Sequence, residues 1–244
     1  MVISCLKASA KGLLTLLALT ALSVAIPGVR WLFGHRMAER FAFQGVFGLT
    51  RILEFDSRFE GQFESEPALY LCNHPSYLDI LFALNQSGSV LVAADEFRSK
   101  PFIGWLGRAL QTVWVKRHCP NSRQLARQTI VRTVQEGKSV FVFPEGQTTG
   151  THAVQPVKPG LFHSAVNEGL PIAFLSIRYH HPAPLYFHTM EPGFFQDWLN
   201  HAWKVLCQPR MGVTVRIGNP QLFSCPEQAQ VAFYQFHNEH AQAA

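Results

Sequence analysis

The sequence predicts an α/β fold in which a mixed, mostly parallel sheet is flanked by helices and preceded by an N-terminal hydrophobic helical membrane anchor. Beyond Pro67, short apolar runs alternate with helical stretches, a pattern typical of layered α/β architecture with a largely buried sheet. Ahead of that point lies one long uncharged segment. We therefore predict a membrane-anchoring helical segment over residues 1–63 and an α/β domain over residues 64–244.

The composition indicates a folded protein that meets a membrane. Hydrophobic residues make up 48% of the 244 residues and charged residues only 15%, against about 25% charged in an average soluble domain. These values exclude a disordered chain, and the length excludes a small disulfide-stapled scaffold. The net charge of +5 favours an anionic partner. Five widely spaced cysteines, an odd number, indicate reduced thiols in a cytosolic compartment.

The predicted anchor is the uncharged segment Gly12–Val29. As a helix it would extend about 27 Å, the short end of what crosses a bilayer. Pro27 and Gly28 are predicted to end this helix. Basic residues flank both of its sides, so its orientation stays open, and a spanning or a re-entrant anchor both fit. A cleavable signal peptide, with its cleavage site at Ser23–Ala25, is the alternative.

The next elements are predicted from their apolar periodicity. Trp31–Phe63 is predicted to be an amphipathic second helix at the membrane interface, with a buried core helix as the alternative. A further helix is predicted over Ser122–Glu136, capped by Asn121 or Ser122 and ended by Gly137. Strands rich in Val, Ile and Phe are predicted at Ala68–Cys72, Ser89–Ala94, Thr112–Lys116, Ser139–Phe143, Ile172–Arg178 and Val213–Ile217.

A histidine and an aspartate follow the first predicted strand. Pro75 disfavours helical geometry at the preceding residue and suits the first helical position, so His74 is predicted at the strand-to-helix turn. Asp79 falls about one turn into that helix, where its short carboxylate can bond the imidazole and orient it as a base. In the alternative interpretation both residues are structural: His74 caps the helix and Asp79 complements the helix dipole.

A second motif, Phe-Pro-Glu-Gly at residues 143–146, follows the predicted strand Ser139–Phe143. A carboxylate and a glycine at the end of a buried strand form a loop whose backbone N–H groups can bind a polar ligand. Open α/β sheets place their ligands at such strand ends. An ordinary Pro-Glu-Gly turn is the alternative.

Together, Asn-His-Pro-Ser-Tyr-Leu-Asp at residues 73–79 and Phe-Pro-Glu-Gly at residues 143–146 resemble blocks of the glycerolipid acyltransferase family, the PlsC-like 1-acylglycerol-3-phosphate acyltransferases. The resemblance covers roughly residues 68–177. Other segments agree with it in order: the second block at residues 113–117, a lysine-glycine step at 157–160 and the proline-led fourth block at 170–173.

The resemblance implies a membrane-bound O-acyltransferase of phospholipid biosynthesis. An acyl chain would pass from an acyl-CoA or acyl-carrier-protein thioester to the free hydroxyl of a 1-acylglycerol-3-phosphate-like lysolipid. His74 and Asp79 would form the family's HX4D motif, with His74 as the base and Asp79 holding the ring. No metal is expected, since none of the other ten histidines falls in a ligand pattern with Cys or carboxylates. No resident cofactor is expected either, because the thioester is a co-substrate. The catalytic domain, residues 64–244, would lie on the cytoplasmic side of the cell inner membrane.

The resemblance also implies a binding site for the acceptor head group, made of Arg117, Glu145, Gly146, Gln147, Thr148 and Lys158. The family's third block usually reads Phe-Pro-Glu-Gly-Thr-Arg-Ser, whereas Gln147 and Thr148 stand here in place of threonine and arginine. A hydroxyl cannot replace the bidentate phosphate donor that arginine provides. Acylation of a lysolipid without glycerol phosphate, such as lyso-ornithine lipid, is therefore the alternative, unless Arg117 or Lys158 compensates.

A basic stretch runs from Arg98 to Arg132 and contains eight Lys or Arg and no acidic residue. It is predicted to bind an anionic membrane surface, the phosphates of coenzyme A or an acidic carrier protein. A solvated basic face is the alternative. Nucleic acid is not expected as a partner, because no recognition motif accompanies the charge.

Two other functions are alternatives to acyl transfer. A thioesterase would direct the His74 base at water, although the chain has no Gly-x-Ser-x-Gly elbow of a serine esterase. A non-catalytic membrane adaptor would keep only the fold. The presence of both His74 and Asp79 argues against the adaptor.

Overall fold

The computed structural model describes residues 2–84, 89–100, 102–187 and 194–242. The described helices are α1 (Val2–Phe33), α2 (His35–Ile52), α3 (Ile80–Ala83), α4 (Ile103–Ala109), α5 (Pro120–Gln135), α6 (Gly160–Asn167), α7 (Phe194–Leu206) and α8 (Pro226–Gln242). The described strands are β1 (Phe55–Glu60), β2 (Leu69–Cys72), β3 (Val90–Ala94), β4 (Val113–Val115), β5 (Val140–Val142), β6 (Ile172–Tyr179) and β7 (Met211–Ile217).

The strands form one seven-stranded sheet in the order β1-β7-β6-β2-β5-β3-β4. Neighbouring strands are parallel except β6 and β7, which pair antiparallel. The predicted α/β class with a mostly parallel sheet is therefore confirmed, and each predicted strand is present. β2 lies between β5 and β6, with Leu71 opposite Val142 and Phe174. The loops that follow β2 and β5 consequently leave the same edge of the sheet.

Both faces of the sheet are buried, which explains why the strands read as continuous apolar runs. On one face, Tyr70, Leu175 and Ile177 pack with α2 and α3. On the other face, Leu69 and Phe174 pack with α5, α6 and α8. Successive residues of each strand alternate between these two layers.

Helix α1 continues to Phe33, so the prediction that Pro27 and Gly28 end it is wrong. Pro27 removes one helical N–H, but Ile26 beside it is 4% exposed and packs in the core, which holds the helix there. One stripe of α1 is docked on the domain, where Lys11 pairs with Glu54 and donates to the Gln208 carbonyl at 2.6 Å. The other side exposes large apolar side chains, namely Leu6, Leu13, Leu14, Leu16, Leu17, Val24, Trp31 and Leu32.

The prediction of a single helix over Trp31–Phe63 is wrong beyond Ile52, where α2 ends. Glu54 adopts a left-handed backbone conformation, with φ of 56°, and strand β1 begins at the next residue. β1 pairs parallel with β7, so residues 55–60, which the prediction counted with the anchoring segment, form the edge of the sheet. The rest of the segment, α2, buries one face that includes Ala42 and Val46, as the core-helix alternative required.

Helix α5 begins two residues earlier than predicted. Pro120 occupies its first turn after Cys119, and neither Asn121 nor Ser122 is its cap. Ser122 Oγ instead accepts a hydrogen bond from the Lys116 backbone N–H at 3.0 Å. Gly137 follows the helix with φ of 92°, which confirms its predicted left-handed conformation.

Candidate active site

The candidate site is built on the turn that leaves β2. Asn73 is 3% exposed and clamps this turn to the neighbouring strand β6. Its Nδ2 donates to the Ile177 carbonyl at 3.0 Å, and its Oδ1 accepts from the Ile177 N–H at 2.8 Å. The next residue, His74, is thereby fixed at the edge of the sheet.

Ser76, rather than Pro75, starts the helical turn after His74. Ser76 is the N-cap of a short 3₁₀ turn, Tyr77–Asp79, and forms a reciprocal capping box with Asp79. The Ser76 N–H donates to Asp79 Oδ2 at 2.9 Å. This box turns the Asp79 carboxylate back over His74.

The predicted contact between His74 and Asp79 is present, with Nδ1 of His74 at 2.8 Å from Oδ2 of Asp79. A carboxylate acceptor places the imidazole proton on Nδ1 and leaves Nε2 as the basic nitrogen. The ring is stacked on Phe143, with centroids 4.0 Å apart. Its side chain is 14% exposed, and within the part of the chain that the structure describes no hydrogen bond to Nε2 forms. The pair therefore presents an oriented, partly exposed imidazole whose Nε2 is available to a ligand.

Asp79 itself is fully buried. Burial raises the pKa of Asp79, while hydrogen bonds from His74, Ser76 and Tyr179 pull that pKa back down. The Tyr179 hydroxyl donates to the other carboxylate oxygen, Oδ1, at 2.7 Å. Both oxygens of the carboxylate therefore have donors.

Glu145 clamps two loops rather than facing solvent. Its Oε2 accepts from the His74 N–H and its Oε1 from the Gln155 N–H, each at 2.7 Å. Burial raises the pKa of Glu145 to about 7, against the lowering effect of these two donors. Gly146 follows with φ of 75°, a conformation that favours glycine. The predicted binding of a head group by Glu145 stays untested, and its observed contacts hold the site in shape.

Arg117 reaches the same loop from the residues after β4. Its guanidinium pairs with Glu96 and donates from Nη1 to the Gly146 carbonyl at 2.6 Å. The arginine is one fifth exposed, at 22%. It is therefore connected to His74 through Gly146 and Glu145, close enough to the site for the head-group role predicted from the sequence.

The remaining predicted binding residues are Gln147, Thr148 and Lys158. Gln147 and Lys158 are exposed, and no hydrogen bond or ion pair to either is present among residues that the structure describes. Thr148 is 5% exposed, and its buried hydroxyl has no hydrogen-bond partner among the described residues. Thr149, which the sequence did not single out, donates its N–H to the His74 carbonyl at 2.8 Å.

No group of three or more His, Cys, Asp or Glu side chains that could hold a metal is found in the described ranges. The expectation of a metal-free, cofactor-free site stays a prediction.

Comparison with known proteins identifies the family of this chain. Residues 55–178, which include His74, Asp79, Arg117 and Glu145, match the family model described as Acyltransferase. The chain belongs to the acyltransferase family. The resemblance inferred from the residue motifs is thereby confirmed.

Named relatives within this acyltransferase family differ in their acceptors. The lyso-ornithine lipid O-acyltransferase of Pseudomonas aeruginosa is 28% identical over 70% of this chain and 66% of its own length. The 1-acyl-sn-glycerol-3-phosphate acyltransferase of Neisseria gonorrhoeae is 30% identical over 60% of this chain and 57% of its own. The matched region thus spans less than two thirds of either relative.

A solved structure supports the acyltransferase fold over almost the whole chain. The crystal structure of the 1-acyl-sn-glycerophosphate acyltransferase PlsC from Thermotoga maritima matches with a TM-score of 0.65 at 20% identity. The match covers 96% of this chain and 98% of that one. At this identity the likeness concerns the fold alone.

One supporting contact of this acyltransferase site could have been predicted from the sequence, and another could not. Ser76 and Asp79 have the Ser-x-x-Asp spacing of a capping box, so the cap was readable. Tyr179 lies 100 residues from Asp79, and no local pattern connects the two.

Proposed function

We propose that this acyltransferase moves an acyl chain from an acyl-CoA or acyl-carrier-protein thioester to the free hydroxyl of a lysolipid. The observation that carries the proposal is the His74–Asp79 pair, in which Nδ1 is held by the buried carboxylate and Nε2 has no hydrogen bond among the described residues. Family membership and the acceptor classes named for its relatives support it.

In the proposed reaction, Nε2 of His74 takes the proton as the acceptor oxygen attacks the thioester carbonyl carbon. The O–H bond breaks and a C–O bond forms. When the tetrahedral intermediate collapses, the C–S bond breaks, and the imidazolium returns its proton to the leaving thiolate. Asp79 stabilises the transient imidazolium and keeps the ring orientation. The acyl group passes directly between substrates, so no acyl-enzyme forms.

The acceptor proposed first is 1-acylglycerol-3-phosphate-like, with Arg117 beside the site as the phosphate partner. Lyso-ornithine lipid is the second candidate, favoured by Thr148 standing where the family's arginine is expected and by the lyso-ornithine relatives. Both reactions need the same base, so they differ in head-group recognition and not in chemistry.

Arg117→Ala is expected to raise KM for 1-acylglycerol-3-phosphate roughly tenfold, because a charge-assisted hydrogen bond is lost. KM for uncharged monoacylglycerol should change little. The measurement is a panel of 1-acylglycerol-3-phosphate, lyso-ornithine lipid and monoacylglycerol, each with one labelled acyl thioester.

The control for this panel is Arg58→Ala, which removes a 78% exposed guanidinium on β1 at the opposite edge of the sheet. Equal losses on charged and neutral acceptors would rule out head-group binding by Arg117, leaving it as a brace for the Gly146 loop. Thioester hydrolysis that is indifferent to added lysolipid would instead favour a thioesterase.

We also propose that the protein works at the inner membrane with its site on the cytoplasmic side. Within the described ranges, the Cys5–Phe33 part of α1 is long and apolar enough to cross a bilayer, and little of it is buried in the fold. Its exposed leucines and the basic stretch Arg98–Arg132 fit an anionic lipid surface.

Leu13→Glu combined with Leu17→Glu is expected to weaken binding to vesicles of phosphatidylglycerol and phosphatidylethanolamine about a hundredfold, since two leucines lose apolar contact. These side chains are 58% and 55% exposed on α1. Vesicle sedimentation gives the partition constant. Leu222→Glu combined with Val231→Glu, at exposed positions near the other end of the chain, is the control. Undiminished sedimentation of the α1 variant would exclude this helix as the anchor.

A further inference from the structure

We propose that Tyr179 is a positioning residue of this site, whose hydroxyl fixes the Asp79 carboxylate and through it the orientation of the His74 imidazole. The proposal rests on the proposed function for its kinetic consequences. Tyr179 belongs to none of the motif blocks around His74, Glu145 and Arg117. It reaches the site from the last residue of β6.

The Tyr179 ring is held rigidly. The residue is 2% exposed and stands on the same side of β6 as Ile177. Its ring contacts those of Phe55 and Phe82, with centroids 6.1 and 6.0 Å away. Its backbone N–H donates to His152 Nε2 at 3.0 Å. Because these contacts hold the ring in one orientation, the Tyr179 hydroxyl is held facing Asp79, to which it donates its hydrogen bond.

The two oxygens of Asp79 have different partners. Oδ2 accepts from His74 Nδ1 and from the Ser76 N–H, whereas Oδ1 accepts from the Tyr179 hydroxyl at 2.7 Å. Without the phenol, a fully buried carboxylate oxygen would lose this donor, which favours protonation or rotation of the carboxyl group. Either change would weaken its hold on the Nδ1 proton of His74.

The electrostatic surroundings make this donor more important. The groups that interact with Asp79 or with the Tyr179 phenol are His74, Cys72, Glu145, Tyr77 and Ser76. Burial raises the pKa of the Tyr179 phenol well above its usual range, so the hydroxyl keeps its proton and remains a donor. Its hydrogen bond lowers the pKa of Asp79, in opposition to burial.

Tyr179→Phe is expected to lower kcat roughly tenfold, the effect of losing one hydrogen bond to a charged group, with KM for the lysolipid unchanged. The pKa of Asp79 should rise, so the acid limb of the pH–rate profile should move to higher pH. The control is Tyr234→Phe, which removes a phenol that accepts from the Val157 N–H in the other core layer. This control should leave the profile in place.

A second substitution covers the case in which Tyr179→Phe does not fold. Replacing Tyr179 with 3-fluorotyrosine keeps the ring and the hydroxyl but makes a stronger donor, so the acid limb should move to lower pH. If the acid limb stays in place in the folded variants, the proposal is overturned.

A spectroscopic measurement separates this proposal from the proposed function. In ¹⁵N NMR of the imidazole, wild-type His74 should carry its proton on Nδ1, and Tyr179→Phe should shift it toward a mixture of tautomers. This result with an inactive wild type would overturn the acyl transfer and keep the positioning role. An unchanged tautomer in the folded phenylalanine variant would overturn the positioning role, whatever the activity.

Discussion

Replacing His74 with alanine is expected to reduce kcat/KM for acyl transfer roughly a hundred- to ten-thousandfold on every acceptor, because the proposed general base is removed. The Nδ1 hydrogen bond to Asp79 and the stack on Phe143 hold this imidazole in a single orientation. A labelled-thioester assay with purified lysolipid gives the rate.

The matched control is His163→Ala, which removes an exposed histidine on α6. Its kcat/KM should equal that of the wild type. Thermal unfolding of both variants shows whether the fold is kept. A folded His74→Ala protein with at least a third of wild-type activity would contradict the assignment of His74 as the base.

Substituting Glu145 by alanine is expected to lower kcat about a hundredfold, although this side chain need not touch a substrate. The backbone N–H groups of His74 and Gln155 would both lose their acceptor. A shift of about 1 Å in a reacting group is enough for a loss of this size. The free energy of unfolding should fall by about 2 kcal/mol, from the two unpaired donors. Steady-state kinetics and urea unfolding measure the two effects.

Glu145→Gln tests the same contacts through the pH dependence of the free energy of unfolding. The pKa of Glu145 is raised to about 7 by burial, against its ordinary value of 4.5. Between pH 4.5 and 7 the folded protein therefore binds more protons than the unfolded chain. The stability that Glu145 contributes is fully present below pH 4.5 and is lost as the pH rises through 7. The glutamine variant should lose the Glu145 part of this decrease, so its stability should fall less between pH 4.5 and 7 than that of the wild type. Glu136→Gln, at a 58% exposed position on the surface, should retain it. An identical pH slope in the Glu145→Gln protein would show that Glu145 is not the group responsible.

The fold was largely predictable because its signals are local. β2, β5 and β6 are buried on both faces, so each reads as a continuous apolar run between turn residues. β1 was missed because its alternating Phe-Asp-Ser-Arg-Phe-Glu pattern follows a true amphipathic helix without a glycine or proline between them. The end of α1 was missed because tertiary packing at Ile26 overrides the local effect of Pro27.

The site divides in the same way. His74 and Asp79 are five residues apart, so a turn brings them together and the spacing predicts it. The contacts that support them come from distant parts of the chain. Ile177 and Tyr179 on β6 bond Asn73 and Asp79, and Glu145 in the loop after β5 bonds the His74 backbone. Periodicity carries no information across such separations. These long-range contacts depend on the strand order of the sheet.

The pairing of β1 with β7 has a practical consequence for anyone who wishes to shorten this protein. β1 covers one side of β7 along six residues, from Phe55 opposite Met211 to Glu60 opposite Arg216. A fragment that starts after residue 63 would lack β1, so β7 would become an edge strand with unpaired backbone N–H and C=O groups. Such an edge favours strand addition between molecules. Trimmed versions meant for crystals or spectroscopy should therefore start ahead of Phe55, even when the apolar helix is discarded.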